Sequence, residues 1–409
     1  MKTAILSVGT ELLFGQITNT NTVFLSQQLN LLGFDVFYQY TVGDNPARLG
    51  EMIKDIFSEV DMIITTGGLG PTEDDLTKET FAEVMGEKLV EHEESMNHLL
   101  EIAKRRGRKL TENNYKQALM PEHATVFYND AGSAPGFAIE KNGKIAICMP
   151  GPPREMKNMW EKKVKPFLEK KQNSVMHYKT LRFFGIGESS LETELLDLID
   201  AQTDPTIATY AKEGECTVRV ASKRENRKEA EAAVNLMIEN IKDRVGKYMF
   251  SEDDESLAET VGRKLIERNI SISACESCTG GLFAAELTGV PGISAVFDRS
   301  LDTYTEKAKK EELGVKEETL KTNTAESEET AREMVRGLQN KTGSRACVSV
   351  TGYAGPQGDG IRPAGNIFVG CRFDDKEEIR ELNTNHTDRN WNRRYAMLNM
   401  FDMINKMIG

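Results

Sequence analysis

Two stretches of this 409-residue chain combine residue types that could do chemistry. The first is Thr65-Thr66-Gly67-Gly68-Leu69-Gly70-Pro71-Thr72-Glu73-Asp74-Asp75. Its glycines let a backbone approach a ligand closely, and its carboxylates stand where a metal, or a metal carried by a phosphate, could be held. The second is Cys275-Glu276-Ser277-Cys278-Thr279-Gly280-Gly281. A serine or cysteine between a strand and a helix N-terminus is placed for nucleophilic attack, because the N–H groups and dipole stabilise an oxyanion. No histidine lies near in sequence to act as base, so such chemistry needs a lysine or tyrosine. Each stretch has a plainer alternative. The first also suits a βα connection with solvated acids at a helix N-terminus, and the second a tight turn with a helix cap.

Both readings depend on the elements that position these residues. Met62-Ile63-Ile64 reads as a strand entering the first stretch, and Leu76 to Met85 as an amphipathic helix leaving it, an arrangement that aims N–H groups at an anion. Ala4 to Val8 is a strand ending in Gly9-Thr10-Glu11. Val23, Phe24, Leu25, Leu29 and Leu32 recur at helical spacing, with Gly33 as the stop. Phe34 to Thr41 is a strand, and Asn45-Pro46 opens a helix with Leu49, Ile53 and Ile56 on one face. This β-α-β-α-β order predicts a parallel sheet with ligands at the carboxyl ends of its strands. Gly9 to Glu11, Gly43 to Asn45 and Gly67 to Asp75 then converge on one rim.

Further along, the polar stretch from Glu169 to Asn173 reads as a boundary. Strands at Lys179 to Gly185, Ile207 to Tyr210 and Cys216 to Ala221, with helices from Glu188 and from Glu229 to Val245, make a small α+β unit. The acidic run from Ser251 to Glu255 precedes a helix, Leu257 to Arg268. The strand Ser271 to Ala274 leads into the second chemical stretch, and a helix follows from Leu282. The expectation is a multi-domain α/β protein divided at residues 1–170, 174–250 and 251–409.

Composition bounds the class. With 39% hydrophobic and 28% charged residues the chain is globular, and its length predicts two to three domains. A net charge of −12 argues against a dedicated nucleic-acid binder. No apolar run approaches the ~20 residues that span a membrane, and no signal-peptide core follows Met1. The scattered cysteines read as reduced thiols in a cytoplasm. One CxxC and histidines without ligand spacing do not make a zinc site. Lys104-Arg105-Arg106-Gly107-Arg108-Lys109 reads as a solvated loop, with steering of an anionic substrate as the other role.

Three stretches then become specific: Gly9-Thr10-Glu11-Leu12-Leu13-Phe14-Gly15-Gln16-Ile17-Thr18-Asn19-Thr20-Asn21, Val42-Gly43-Asp44-Asn45, and Thr65 to Asp75. They resemble the competence/damage-inducible protein A (CinA) family, whose N-terminal domain is similar to the molybdopterin-binding domains of molybdenum cofactor synthesis. Gly132-Ser133-Ala134-Pro135-Gly136 and Met149-Pro150-Gly151-Pro152-Pro153-Arg154-Glu155-Met156 match as well. The resemblance implies that Asp44 and Asp75 are the catalytic acidic pair and hold a divalent metal ion. It implies that Thr10, Asn19, Asn21, Gly67, Gly68 and Gly70 contact a nucleotide substrate. Arg154, after a strand from Ile145 to Met149, could reach a phosphate or be a surface arginine beside a proline turn. The middle unit is similar to the KH fold, but it has no Gly-x-x-Gly clamp with basic flanks, so a spacer or dimer-forming role is expected over RNA binding.

The last region resembles the nicotinamide mononucleotide (NMN) deamidase domain through Glu276 to Gly281, Val290-Pro291-Gly292 and Thr351-Gly352-Tyr353-Ala354-Gly355-Pro356. This implies Ser277 as nucleophile, with Tyr304 and Lys309 as the family's tyrosine and base lysine. It also implies that Thr279, Gly280, Gly281, Gly352 and Gly355 line the substrate and that Arg389 and Arg393 bind its phosphate. A lysine can take the serine proton if burial lowers its pKa. The chain departs from the family at Ser300-Leu301-Asp302-Thr303-Tyr304-Thr305-Glu306, where the pattern is roughly Gly-x-Val-Thr-Tyr-Ser-Asn. It departs again at Thr324-Ala325-Glu326-Ser327, against Gly-x-Val-Ser. Asp302, Glu306 and Glu326 would repel an anionic mononucleotide if they face the pocket, and Ser300 or Thr324 would be strained at positive φ.

The expected function is therefore nucleotide processing in NAD-related metabolism by a cytoplasmic homodimer without a membrane segment. The N-terminal site would act as a metal-dependent ADP-ribose pyrophosphatase and the C-terminal site as a nicotinamide-nucleotide amidase. The alternatives are a non-catalytic nucleotide-binding regulator linked to competence or DNA damage, and molybdopterin handling.

Overall fold

The computed structural model describes residues 1–105, 107, 110, 112–171 and 174–409. Part of the basic run Lys104 to Lys109, and the end of the expected boundary at Gln172 and Asn173, lie outside the described residues. The chain forms two compact units, Met1–His177 with Lys223–Glu231, and Tyr178–Ser222 with Ala232–Gly409. The second unit contains both the last region and most of the small α+β module.

A six-stranded sheet organises the first unit. Its order is Asp35–Val42, Lys2–Val8, Met62–Thr66, Lys144–Met149, Gly136–Lys141 and Thr125–Phe127. The first four strands are parallel, as the β-α-β-α-β pattern requires. The last two are antiparallel, so the sheet is mixed where a parallel one was expected. The cause is local. Asn142 and Gly143 both take positive φ, at 53° and 76°, and form the two-residue turn that matches the twist of a hairpin.

Met62–Thr66 is buried throughout, as a strand covered on both faces must be. Side-chain alternation sends Ala4, Leu6 and Val8 into one core with Ile53, Phe81 and Phe137. Ile5 goes to the other face with Leu25, Phe34 and Trp160. The helices enter through sequence-local caps. Asn19 accepts the N–H of Thr22 at the start of Thr20–Leu31, and Asn45 accepts that of Arg48 ahead of Pro46–Glu59. All strand ends that carry the first chemical stretch therefore meet on one rim.

A four-stranded sheet orders Thr206–Lys212, Glu215–Arg224, Val175–Phe184 and Met249–Ser251. A five-stranded sheet orders Phe297–Asp302, Ile272–Glu276, Ala346–Gly352, Asn366–Phe373 and Lys376–Asn383, parallel across the first three and antiparallel beyond. Ser256 and Glu259 form a reciprocal capping box that starts the helix Leu257–Glu267. The final helix, Arg389–Ile408, packs on the same core, with Phe401 stacked on Phe283 at 4.3 Å between ring centroids. That stacking fixes the short helix Leu282–Thr288, which follows the second chemical stretch.

Candidate functional site

At the rim of the first unit lies a cavity of about 570 Å³. Gly67, at φ 108°, places its chain so close to the first strand that a Cβ would lie 2.1 Å from Val8 O. Only glycine permits that approach. The turn that follows lines the cavity together with Asp44, Asp75 and the Pro150–Pro153 segment. Each of the two acids is held by a threonine. Thr10 donates its N–H and hydroxyl to Asp44 Oδ2 at 2.9 and 2.7 Å. Thr72 donates its N–H to Asp75 Oδ2 at 3.0 Å, and its hydroxyl to the same oxygen. Glu11, Asp74 and Glu155 bring the lining carboxylates to five, and among the described lining residues none is lysine, arginine or histidine.

Such a donor set is all oxygen, which suits a hard divalent cation bound by one or two carboxylates together with substrate phosphates. Among the described residues no three His, Cys, Asp or Glu side chains gather into a metal-holding group. The residues therefore fit an ion that arrives with its substrate and do not form an all-protein cage.

In the second unit the strand Ile272–Glu276 delivers Ser277 to a turn that Gly280 and Gly281 complete at φ 58° and 84°. Glu276 is fully buried beneath this turn. Its Oε2 accepts the Thr279 hydroxyl at 2.7 Å and the Phe283 N–H at 3.1 Å, and its Oε1 accepts the Ala284 N–H at 3.0 Å. Helix N-terminal donors thus satisfy the oxygens of the buried side chain. Lys309, in the helix Glu306–Leu313, is 1% exposed. Its Nζ stands 2.9 Å from Ser277 Oγ and donates to Thr303 O at 2.9 Å.

Burial lowers the Lys309 pKa, against opposing pulls led by Glu326. Loss of hydration disfavours the ammonium form. Cys278, beside the serine, is pushed up to about 12 by burial and stays a thiol at neutral pH. Of the Ser-Cys pair it is Ser277 that the buried lysine contacts.

Residues 4–170 match the family described as "Probable molybdopterin binding domain". Residues 178–251 match the damage-inducible protein CinA KH domain, and residues 254–408 the CinA C-terminal domain. The chain is 45% identical over 407 residues to a CinA-like protein of Dictyoglomus turgidum, covering 99% of each chain. The chain belongs to the CinA family. A CinA-like protein of Dictyoglomus thermophilum is 44% identical over 407 residues, again with 99% of each chain covered. A crystal structure of competence/damage inducible protein CihA from Agrobacterium tumefaciens shares 34% identity with 36% of this chain, over 94% of its own, at a TM-score of 0.35.

Of the residues expected at the N-terminal site of this CinA-family chain, Asp44, Asp75, Gly67, Gly68 and Gly70 line the cavity. Thr10 stands behind Asp44. Asn19, Asn21 and Arg154 do not line the cavity. Asn19 and Asn21 hold the protein together: Asn19 caps a helix and donates to Ser7 Oγ, while Asn21 donates to Thr66 Oγ1 at 3.0 Å and Gly151 O at 2.7 Å. Arg154 is exposed and stands outside the lining residues, a surface arginine beside the Pro152-Pro153 turn. Glu11, on the rim as the strand order predicts, lines the cavity too, and Asp74 and Glu155 join it without having been singled out. Glu155 stands in the proline-rich motif and Asp74 beside Asp75 in the first chemical stretch.

At the C-terminal site the fold joins Ser277 to Lys309 and leaves other expected residues to different partners. Tyr304 is 59% exposed, and its hydroxyl accepts from Arg389 Nη2 at 2.9 Å. Arg389 Nη1 donates to Gly355 O and Arg393 Nη2 to Thr279 O, both at 2.7 Å. The two arginines thus brace the loops that Gly355, Thr279, Gly280 and Gly281 belong to, and Gly352 ends the strand Ala346–Gly352. Glu276 was missed as the organiser of the turn.

The departures divide. Ser300 lies in a strand without positive φ, whereas Thr324 takes φ 73° and is held there by hydrogen bonds from Ser327 and Thr330 to its carbonyl. Glu326 accepts from Tyr353 at 3.2 Å, and with Glu306 it acts electrostatically on Lys309. The Asp302 carboxylate lies 3.5 Å from where a Cβ on Gly281 would stand. Among the described residues no helix is long and apolar enough to cross a membrane.

Proposed function

We propose that this CinA-family protein is a two-site hydrolase of NAD-related nucleotides, cleaving a primary amide such as that of NMN at Ser277. The observation that carries this reading is the 2.9 Å contact between Lys309 Nζ and Ser277 Oγ, made by a buried lysine. Ser277 Oγ attacks the amide carbonyl carbon while Lys309 Nζ takes its proton, and the carbonyl electron pair moves to oxygen. The C–N bond then breaks as Lys309 returns the proton to nitrogen, so ammonia leaves and an acyl-serine remains. Water attacks the acyl carbon, its proton passing by way of Lys309 to Ser277 Oγ, and the carboxylate product departs.

A second reaction, hydrolysis of a diphosphate such as that of ADP-ribose, is favoured by the carboxylate wall of the N-terminal cavity. A diphosphate entering among five carboxylates, with no cationic side chain among the described lining residues, needs a counter-charge. A divalent cation would supply that charge and polarise the phosphoryl oxygens. Asp44 and Asp75 would hold it, oriented by Thr10 and Thr72, while the glycine turn brings main chain up to the phosphates. The reading includes a homodimer, checked by sedimentation.

The test runs ammonia release from NMN beside ADP-ribose cleavage with and without Mg²⁺, on the full chain. Ser277→Ala should abolish the first activity alone and Asp75→Ala the second alone. Nucleotide binding without turnover at either site would replace this reading with a non-catalytic regulator. Pterin binding at the N-terminal cavity would favour molybdopterin handling.

A further inference from the structure

The N-terminal cavity has an apolar lip. Between the helices Thr10–Leu13 and Thr20–Leu31 the chain exposes Leu13 by 54%, Phe14 by 75% and Ile17 by 54%. A single exposed apolar side chain is ordinary, but three within five residues make a patch. Ile17 and Glu11 line the cavity, so the exposed segment reaches the site at its Ile17 end, while Leu13 lines a neighbouring cavity with Tyr40, Gly43 and Arg48. Main-chain bonds hold the segment. Phe14 N–H donates to Thr10 O at 3.2 Å, and those of Gly15 and Gln16 donate to Leu12 O and Glu11 O, both at 3.1 Å. The ring therefore stands on an ordered turn, and binding to it would cost little loop entropy.

Inside, the wall is rich in glycine, proline and carboxylate, and among the described lining residues none is aromatic. The interior suits a diphosphate with its cation and offers no flat surface to a heteroaromatic ring. We propose that the segment Phe14–Ile17 is the platform on which the base of a nucleotide stacks, with Phe14 against the ring face. The site then selects diphosphates that carry a flat heterocycle over bare ones. This inference rests on reading the cavity as a diphosphate site.

Calorimetric titration of the full chain with ADP and with inorganic pyrophosphate, each with Mg²⁺, tests it in wild type, Phe14→Ala and Phe14→Trp. Phe14→Ala should weaken ADP binding on the order of tenfold, Phe14→Trp should restore it, and pyrophosphate should bind all three alike. Unchanged ADP affinity in Phe14→Ala, or equal losses for ADP and pyrophosphate, would overturn the proposal. So would a fall from dimer to monomer in sedimentation of Phe14→Ala, which would assign the lip to a second copy of the chain. Failure of the catalytic reading looks different: wild type binds ADP more tightly than pyrophosphate but leaves ADP-ribose uncleaved, and the platform stands.

Discussion

At the N-terminal site five carboxylates line an open cavity with no lysine, arginine or histidine among the described lining residues. At the C-terminal site one lysine, buried away from water, touches one serine. On the proposed reading the first arrangement is incomplete until a ligand brings positive charge, and would depend on solution metal. On the same reading the second would make its own reagent by desolvating an amine, and would depend on packing and on pH. The glycine turns serve different ends accordingly. Gly67 lets a ligand-facing loop lie against a strand, while Gly280 and Gly281 turn the chain over Glu276.

The sharpest way to break this contrast is Ser277→Ala. It should lower ammonia release on the order of 10³-fold or more while leaving diphosphate cleavage unchanged, measured on one preparation. Parallel losses in both assays would mean that the sites are not independent. Chelation with EDTA should do the reverse, arresting diphosphate cleavage and sparing ammonia release. Asp75→Ala or Asp44→Ala should cost the diphosphate reaction roughly a hundredfold or more.

The pH dependence should also differ. Because burial lowers the Lys309 pKa from 10.5, ammonia release should rise with pH along a limb lying below 10.5 and fall away as pH drops through the lowered value. A limb at the ordinary lysine value would contradict a buried base. Lys78, in the helix leaving the first glycine turn, offers a control: it is also buried, at a pKa of about 8, but its Nζ donates to the Lys116 carbonyl and touches no nucleophile. Between about 8 and 10.5 the unfolded chain binds the extra proton, so stability should rise with pH across that window, by up to about 3 kcal/mol. Urea unfolding of Lys78→Met should show that slope reduced, with amide hydrolysis untouched.

The smallest effect concerns Thr324. Relief of its positive φ in Thr324→Gly, partly offset by glycine's backbone entropy, should stabilise the protein by up to about 1 kcal/mol, read as a small rise in Tm. No gain would mean that the hydrogen bonds from Ser327 and Thr330 already absorb the strain.

Much of the scaffold was readable because its causes are local. Asn45 with Pro46, the helical spacing of Leu25 and Leu29, and the β-branched run before Gly67 each act within a few residues of themselves. The Asn142-Gly143 turn was equally local, and overlooking it is why a parallel sheet was expected in place of a mixed one. The sites were readable only in part. Asn19, Asn21 and Arg154 have the polar groups a nucleotide would need, yet a side chain's partner is chosen by whatever the fold brings near. For Asn21 those partners are Thr66 and Gly151, far along the chain.

By itself the sequence determined which residues could turn, cap and alternate, and so where strands end in glycine and acid. Only the tertiary structure decided that Ser277 meets Lys309 while Tyr304 turns to Arg389, and that five acids share a cavity without a cationic side chain among its described lining residues. The reason is physical: a residue's type sets what bonds it can make. The burial that alters a lysine's proton affinity, and the neighbours that leave a carboxylate uncompensated, arise only when distant segments pack.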